Sequence, residues 1–244
     1  TFVSFPDATH MRLNWSSVTG QAGQVCYMLI SGLTAAKAVK WTHPSSTGSK
    51  SVTGVGGFGA TGPDLVVHVL TADALASQQH ALVGFGIMNR QGQQWAVGIV
   101  SIDAGGAANS SRWQQSDACL LNVTTNEAIE TQDHFVSMDA GGFTQYVANA
   151  GARVVASLLL GGISSKIGSF RHPQATGAQV VPSRHGFAVR GALFASINAG
   201  YQAAPQTSAH LMIGATDGTN QRVEALIDKD NADPTQADSV FTSG

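Results

Sequence analysis

Trp41-Thr42-His43-Pro44-Ser45-Ser46-Thr47-Gly48, followed by Gly57-Phe58 and Gly62-Pro63-Asp64-Leu65, decides how this chain is built, because the stretch occurs twice. Its counterparts are Phe170-Arg171-His172-Pro173-Gln174-Ala175-Thr176-Gly177, then Gly186-Phe187 and Gly191-Ala192-Leu193. An aromatic, a His-Pro, a Thr-Gly and a Gly-Phe recur in one order at an offset of about 129 residues, which duplicated units explain and chance rarely supplies. Working outward, Phe2-Val3-Ser4 matches Phe135-Val136-Ser137, and the apolar run 25–30 before Gly32 matches 154–160 before Gly161. Downstream, 82–102 aligns with 210–230, which places Gly86 on Gly214 and Ile99 on Ile227. The offset drifts from about 133 to about 128, as insertions collecting in surface loops would produce. The chain therefore reads as three pieces: 1–32, the C-terminal half of one β unit; 33–163, a complete β-sandwich unit; and 164–244, the N-terminal part of a further unit.

Within the units, β-branched and aromatic runs alternate with Gly-, Asp- and Asn-rich turns, the pattern of antiparallel hairpins. Strands are expected over 2–5, 11–15 and 24–30, and again over 135–138, 143–147 and 153–160, with Asp139-Ala140-Gly141-Gly142 as a tight turn. Further strands are expected over 66–70, 81–88, 95–102 and 118–123. Trp95-Ala96-Val97-Gly98-Ile99-Val100 is almost wholly apolar, which predicts a central strand covered on both faces. Segment 33–44 reads as a connector, 45–61 as loop and edge, Gly54-Val55-Gly56-Gly57-Phe58-Gly59 as a strand entry, and 103–111 as a long turn. Segments 71–79 and 198–207 read as loops, the second because Gly200 and Pro205 break a helix. The fold class is all-β, in tandem sandwich or jelly-roll-like units. Because 1–32 ends a unit and 164–244 begins one, the first is expected to complement the second, within one chain or between chains.

A chain of 244 residues is long enough for two domains, each with its own core. Thirteen Lys and Arg against 15 Asp and Glu leave no electrostatic footprint for nucleic acid or an anionic membrane. Charged residues are only 11% of the chain, and Gly, Ala, Ser, Thr, Gln and Asn fill the polar positions, so the surface reads as one covered by neighbours. Cys26 and Cys119 fall at non-equivalent places in the repeat and read as buried thiols, not a disulfide framework. No apolar run reaches the length of a membrane-spanning helix, and Thr1 begins mid-unit without a basic and apolar leader.

Chemistry-bearing motifs are sparse. The eight histidines show neither His-x-His nor His-Glu-x-x-His spacing, and His43 and His172, each before a proline, read as structural. Asp228-Lys229-Asp230-Asn231-Ala232-Asp233 is oxygen-rich, but it lacks the glycine and closing glutamate of a calcium loop and reads as a solvated turn. Asp103 and Asp139, each in Asp-Ala-Gly-Gly, read as turn residues and not as paired catalytic carboxylates. Asn122-Val123-Thr124 matches a glycosylation sequon, a common pattern. Trp15, Trp41 and Trp95 sit in or beside strand patterns and read as core. Trp113 stands in a polar stretch with Arg112, Gln114 and Gln115, and these four are the candidate surface-contact residues.

Asp133-His134-Phe135-Val136-Ser137-Met138-Asp139-Ala140-Gly141-Gly142-Phe143-Thr144 resembles a recurring segment of uncharacterised structural proteins of tailed bacteriophages. So do 41–67 and the run from Gln94-Trp95-Ala96 to Ser116-Asp117-Ala118-Cys119. The last unit departs from that pattern, with Ala192 in place of Asp64 and no counterpart of Gly54-Val55-Gly56. The resemblance implies a non-enzymatic virion component, a capsid decoration or a tail part, whose partners are other virion proteins and copies of itself. It supplies no catalytic residue, cofactor or metal ligand. The alternative is a carbohydrate-binding or receptor-binding sandwich module with a glycan as partner.

Overall fold

The computed structural model describes residues 2–7, 10–13, 29–71, 80–102, 109–172, 174–181, 186–197, 203–230 and 236–243. The described residues are strands and connections, without a helix. In chain order the strands are β1 (Phe2–Asp7), β2 (His10–Leu13), β3 (Ala35–Thr42), β4 (Gly48–Val52), β5 (Leu65–Thr71) and β6 (His80–Asn89). They continue with β7 (Gln94–Ile102), β8 (Asn109–Gln115), β9 (Leu120–Val123), β10 (Ile129–Asp139), β11 (Gly142–Asn149) and β12 (Val154–Gly161). The C-terminal part adds β13 (Ala192–Ser196), β14 (Gln206–Thr207), β15 (Ala209–Thr216), β16 (Gln221–Lys229) and β17 (Gln236–Ser243).

All pairings are antiparallel, and three sheets carry most of the fold. A seven-stranded sheet in the order β14-β8-β7-β6-β5-β12-β3 is flanked by two four-stranded sheets, β4-β11-β10-β9 and β13-β15-β16-β17. One core lies between the first two, where Trp41, Val66, Leu70, Met88, Val155 and Leu159 meet Val52, Leu120 and Phe143. A smaller cluster of Ala96, Val100, Trp113, Leu121 and Val123 lies under β9. The other face of the seven-stranded sheet presents Phe85, Val97 and Ile99 to Ile197, Ala209 and Leu211. Each of these side chains contributes about 1.5–3 kcal/mol when fully buried, so the middle sheet draws on both faces. That explains why Ala96, Val97, Ile99 and Val100 of β7 are all buried, as the unbroken apolar run predicts.

Residues 33–163 close on themselves, because their first strands pair with their last: β3 with β12 and β4 with β11. Segment 33–44 is thus not a connector; Ala35–Thr42 is an edge strand whose register on β12 runs from Ala35↔Gly161 to Thr42↔Val154. The 45–61 stretch does hold an edge strand, β4, but 54–59 leaves it as a loop and does not enter a strand. Of the expected 103–111 turn, 103–108 lie outside the described residues and 109–111 already belong to β8. Residues 72–79 and 198–202, expected as loops, and 24–28, expected in a strand, also lie outside them.

Two corrections concern the half-units. The C-terminal sheet does not bury a core of its own but uses the outer face of β6 and β7, and β14 extends the seven-stranded sheet through Gln206↔Arg112. The hairpin β1–β2 forms as expected, yet among the described residues it pairs only with itself and not with 164–244. Complementation within one chain is therefore not observed.

Candidate functional site

The four sequence-predicted contact residues lie on β8, between β7 and β14. Trp113 is 3% exposed, packed with Ala96, Leu121 and Val123 beneath β9. It is a core residue, not a surface contact. The period of a strand explains this: Ser111 and Trp113 point inward while Arg112 alternates outward. Arg112 donates to the Ser208 carbonyl at 3.0 Å, and burial lowers its pKa from the ordinary value. Gln115 accepts from Gln132 Nε2, and Gln114 is half-buried.

Two buried polar networks occupy the core of the complete unit. His43 donates from Nδ1 to the Gly151 carbonyl at 2.8 Å, and its Nε2 lies 2.8 Å from Asp133 Oδ1. A proton must lie between those two atoms. Gln145 Nε2 donates to the other Asp133 oxygen, and Cys119 is buried beside them, its backbone N–H donating to the Asp133 carbonyl at 2.8 Å. Burial raises the Asp133 pKa against the opposing hydrogen bond from His43, and burial followed by the Asp133 charge raises the Cys119 thiol. His43, Asp133, Cys119 and Gln145 are all sealed from solvent, so the line clamps β10, β11 and the 43–44 corner together. The thiol behaves as the small hydrophobe its position predicts; Cys26 lies outside the described residues.

In the second network Trp41 Nε1 donates to Ser157 Oγ at 2.8 Å, and the same hydroxyl shares a 2.8 Å hydrogen bond with His68 Nδ1. Phe143 sits edge-on to both rings, 6.1 Å from Trp41 and 5.2 Å from His68. Desolvation lowers the His68 pKa to about 3, so it stays neutral in the fold.

The remaining candidates are also structural. Asp228 is buried on β16, accepts from Ser101 Oγ, and offers its carbonyl to Ser110; Asp230 accepts from the Ser110 N–H at 2.9 Å. The expected solvated turn at 228–230 is instead a seam between the C-terminal sheet and β7–β8, while 231–235 lie outside the described residues. Asp139 caps the β10–β11 turn by accepting from Ser137 and Thr144. Asn122 of the sequon is fully buried and donates to Glu130, so no glycan reaches it in the folded chain. Among the described residues no three His, Cys, Asp or Glu side chains gather as a metal site.

Two solvent-facing features bear on contacts with other molecules. A shallow groove of about 550 Å³ runs between the edge strands β3 and β4 and is lined by Lys37, Lys40 and Lys50. Lysines on free edges oppose further strand pairing there. The other feature is the outer face of the C-terminal sheet. Leu193, Ala195, Leu211, Ile213 and Leu226 point to the middle sheet. Alternation turns Phe194, Met212, Val223, Ala225 and Ile227 the other way, where Phe194 is 44% and Ile227 39% exposed. Phe170 joins this face, 6.3 Å edge-on from Phe194. Sequence reasoning missed it, although the signal is present in strands apolar at both alternating positions. No protein-family model matches the chain, and no curated protein or solved structure does.

Proposed function

We propose that this chain is a non-enzymatic structural protein of a bacteriophage virion, a capsid decoration or tail component, that works by contacts with copies of itself and with neighbouring virion proteins. The observation that carries the reading is the apolar outer face of the C-terminal sheet around Phe170, Phe194 and Ile227. Contiguous exposed apolar surface on a folded chain marks an interaction site. A surface poor in charge supports it, since little repulsion has to be overcome when copies meet. The sequence resemblance to phage structural proteins supplies the setting. The carbohydrate-binding alternative called for an exposed aromatic beside polar residues, and Trp113, the first place to look, is buried.

The test is the mass of the chain by light scattering over a dilution series at low and high salt. Oligomers that resist high salt are expected, because apolar contacts are not screened. A monomer at every concentration would overturn the proposal.

A further inference from the structure

The uncovered face has a covered equivalent in the same chain, which identifies what belongs on it. The C-terminal sheet runs β13-β15-β16-β17 and the middle sheet contains β5-β6-β7-β8, each joined antiparallel in sequence order. Anchoring on the Gly86–Gly214 match, Gly86 pairs with His68 and Ala96, and Gly214 pairs with Phe194 and Val223. One step along, Gly84↔Gly98 corresponds to Met212↔Ala225, and Leu82↔Val100 to His210↔Ile227. The register thus sets Ile227 on Val100, not on Ile99.

The aromatic geometry repeats as well. Trp41 lies 6.4 Å from His68 at 76°, and Phe170, its sequence counterpart, lies 6.3 Å from Phe194 at 87°. The first pair is buried under the β4-β11-β10-β9 sheet, with Phe143 of β11 against both rings. The second pair is about half exposed, with Phe170 at 49%. Backbone lies directly over the glycines of the first face: a Cβ on Gly86 would come within 1.9 Å of the Cys119 carbonyl oxygen. Over Gly214 the nearest atoms belong to its own sheet.

The missing cover resembles the N-terminal hairpin. Between Phe135↔Gln145 and Ser137↔Thr144 the β10–β11 ladder skips one residue at Val136. Between Phe2↔Leu13 and Ser4↔Arg12 the β1–β2 ladder skips one at Val3, in the same Phe-Val-Ser sequence. A bulge is a specific local device, and its recurrence at an aligned position relates the two hairpins, although β1–β2 has a second irregularity between Ser4 and Asp7 that β10–β11 lacks. Arg12, opposite Ser4, takes the place of Thr144, opposite Ser137, and Met11, next along the strand, is the counterpart of Phe143.

We infer that the N-terminal segment of a second copy, with β1–β2 as its core, docks on the outer face of the C-terminal sheet and completes it as β10–β11 complete the sandwich. The contact is head-to-tail, so repetition yields a ring or an open filament. It rests on the reading of the protein as one that assembles through its own copies.

Oxidative cross-linking tests it. A chain carrying Met11→Cys is mixed with one carrying Phe194→Cys, both with Cys26→Ser. A covalent heterodimer is expected, at roughly tenfold higher yield than for Met11→Cys mixed with Val180→Cys, because docking raises the effective thiol concentration. Phe194 is half exposed, so its replacement leaves the monomer folded. A second variant, Gly214→Lys, introduces a charge on the open face and is expected to raise the concentration at which oligomers half-dissociate by at least about tenfold. Equal yields in the two mixtures, while light scattering still shows oligomers, would overturn this contact and leave assembly by another surface. Closure within a single doubly substituted chain at high dilution would also overturn it. A monomer at all concentrations would remove the assembly reading itself.

Discussion

His68 carries a consequence of burial that pH can read. Its pKa falls from 6.5 to about 3 because the protonated ring would be charged in a dry core. Between those values the unfolded chain takes up a proton that the folded chain refuses. Stability is therefore lost as pH drops from about 6.5 towards 3, at a limiting slope of about 1.4 kcal/mol per pH unit. Asp133 works in the opposite sense, since its raised folded-state pKa lets the native chain bind a proton first and gain relative stability on acidification. Comparing wild type with His68→Leu separates the two, because the variant keeps Asp133. Urea midpoints from pH 7 to 4 should decline more steeply for wild type, and parallel profiles would refute the neutral, desolvated imidazole. Nothing in the sequence around His68 announces this role. Its neighbours on β5, Val66 and Leu70, identify a core face, but the hydroxyl that tethers the ring comes from Ser157 on β12, far along the chain.

At the level of strands, the close approach of β9 to the middle sheet depends on residues without side chains. A Cβ at Gly86 would meet the Cys119 carbonyl oxygen, and one at Gly84 would lie 2.4 Å from that of Leu121. These are backbone atoms and cannot swing aside. Gly86→Ala should therefore cost about 3 kcal/mol, the upper range of overpacking. Gly214→Ala, its counterpart on the uncovered sheet, meets only the Arg222 carbonyl oxygen at 3.3 Å and should change the stability of the dilute monomer by less than about 1 kcal/mol. Thermal or urea unfolding of the two variants side by side checks this, and equal losses would mean that the outer face is not open. The hairpins were legible, since Asp-Ala-Gly-Gly and the flanking alternation reproduce the Met138↔Phe143 register. Strands β3 and β8 were not. Ala-Ala-Lys-Ala-Val-Lys-Trp-Thr has one buried position, Trp41, because it lies at an edge, and pairing with β12 across more than a hundred residues makes it a strand. In β8 the inward residues are serines and one tryptophan, so the apolar alternation that signals a strand is almost absent.

For the whole molecule, the all-β class was readable and the arrangement of its sheets was not. Strands β13, β15 and β16 offer apolar residues on both faces, so the sequence could not say which face would be covered first. Docking decided it: Leu211, Ala209 and Ile197 meet Phe85, Val97 and Ile99, which makes the middle sheet a layer shared by the β4-β11-β10-β9 sheet on one face and the C-terminal sheet on the other. A sheet held by a borrowed core should not unfold by itself. Leu211→Ala removes a 7% exposed side chain from that layer and should cost about 2–4 kcal/mol. If the layers are one cooperative body, the whole transition shifts, and two probes must agree. Far-UV circular dichroism reports every sheet. Tryptophan fluorescence, in a background with Trp15→Phe and Trp95→Phe, reports Trp41 and Trp113, which lie in the clusters away from the C-terminal sheet. Coincident transitions, both lowered by Leu211→Ala, are expected for the dilute monomer. A dichroism transition that precedes the fluorescence one would show that the C-terminal sheet melts alone, and would mean that contact with β6 and β7 does not hold it in place.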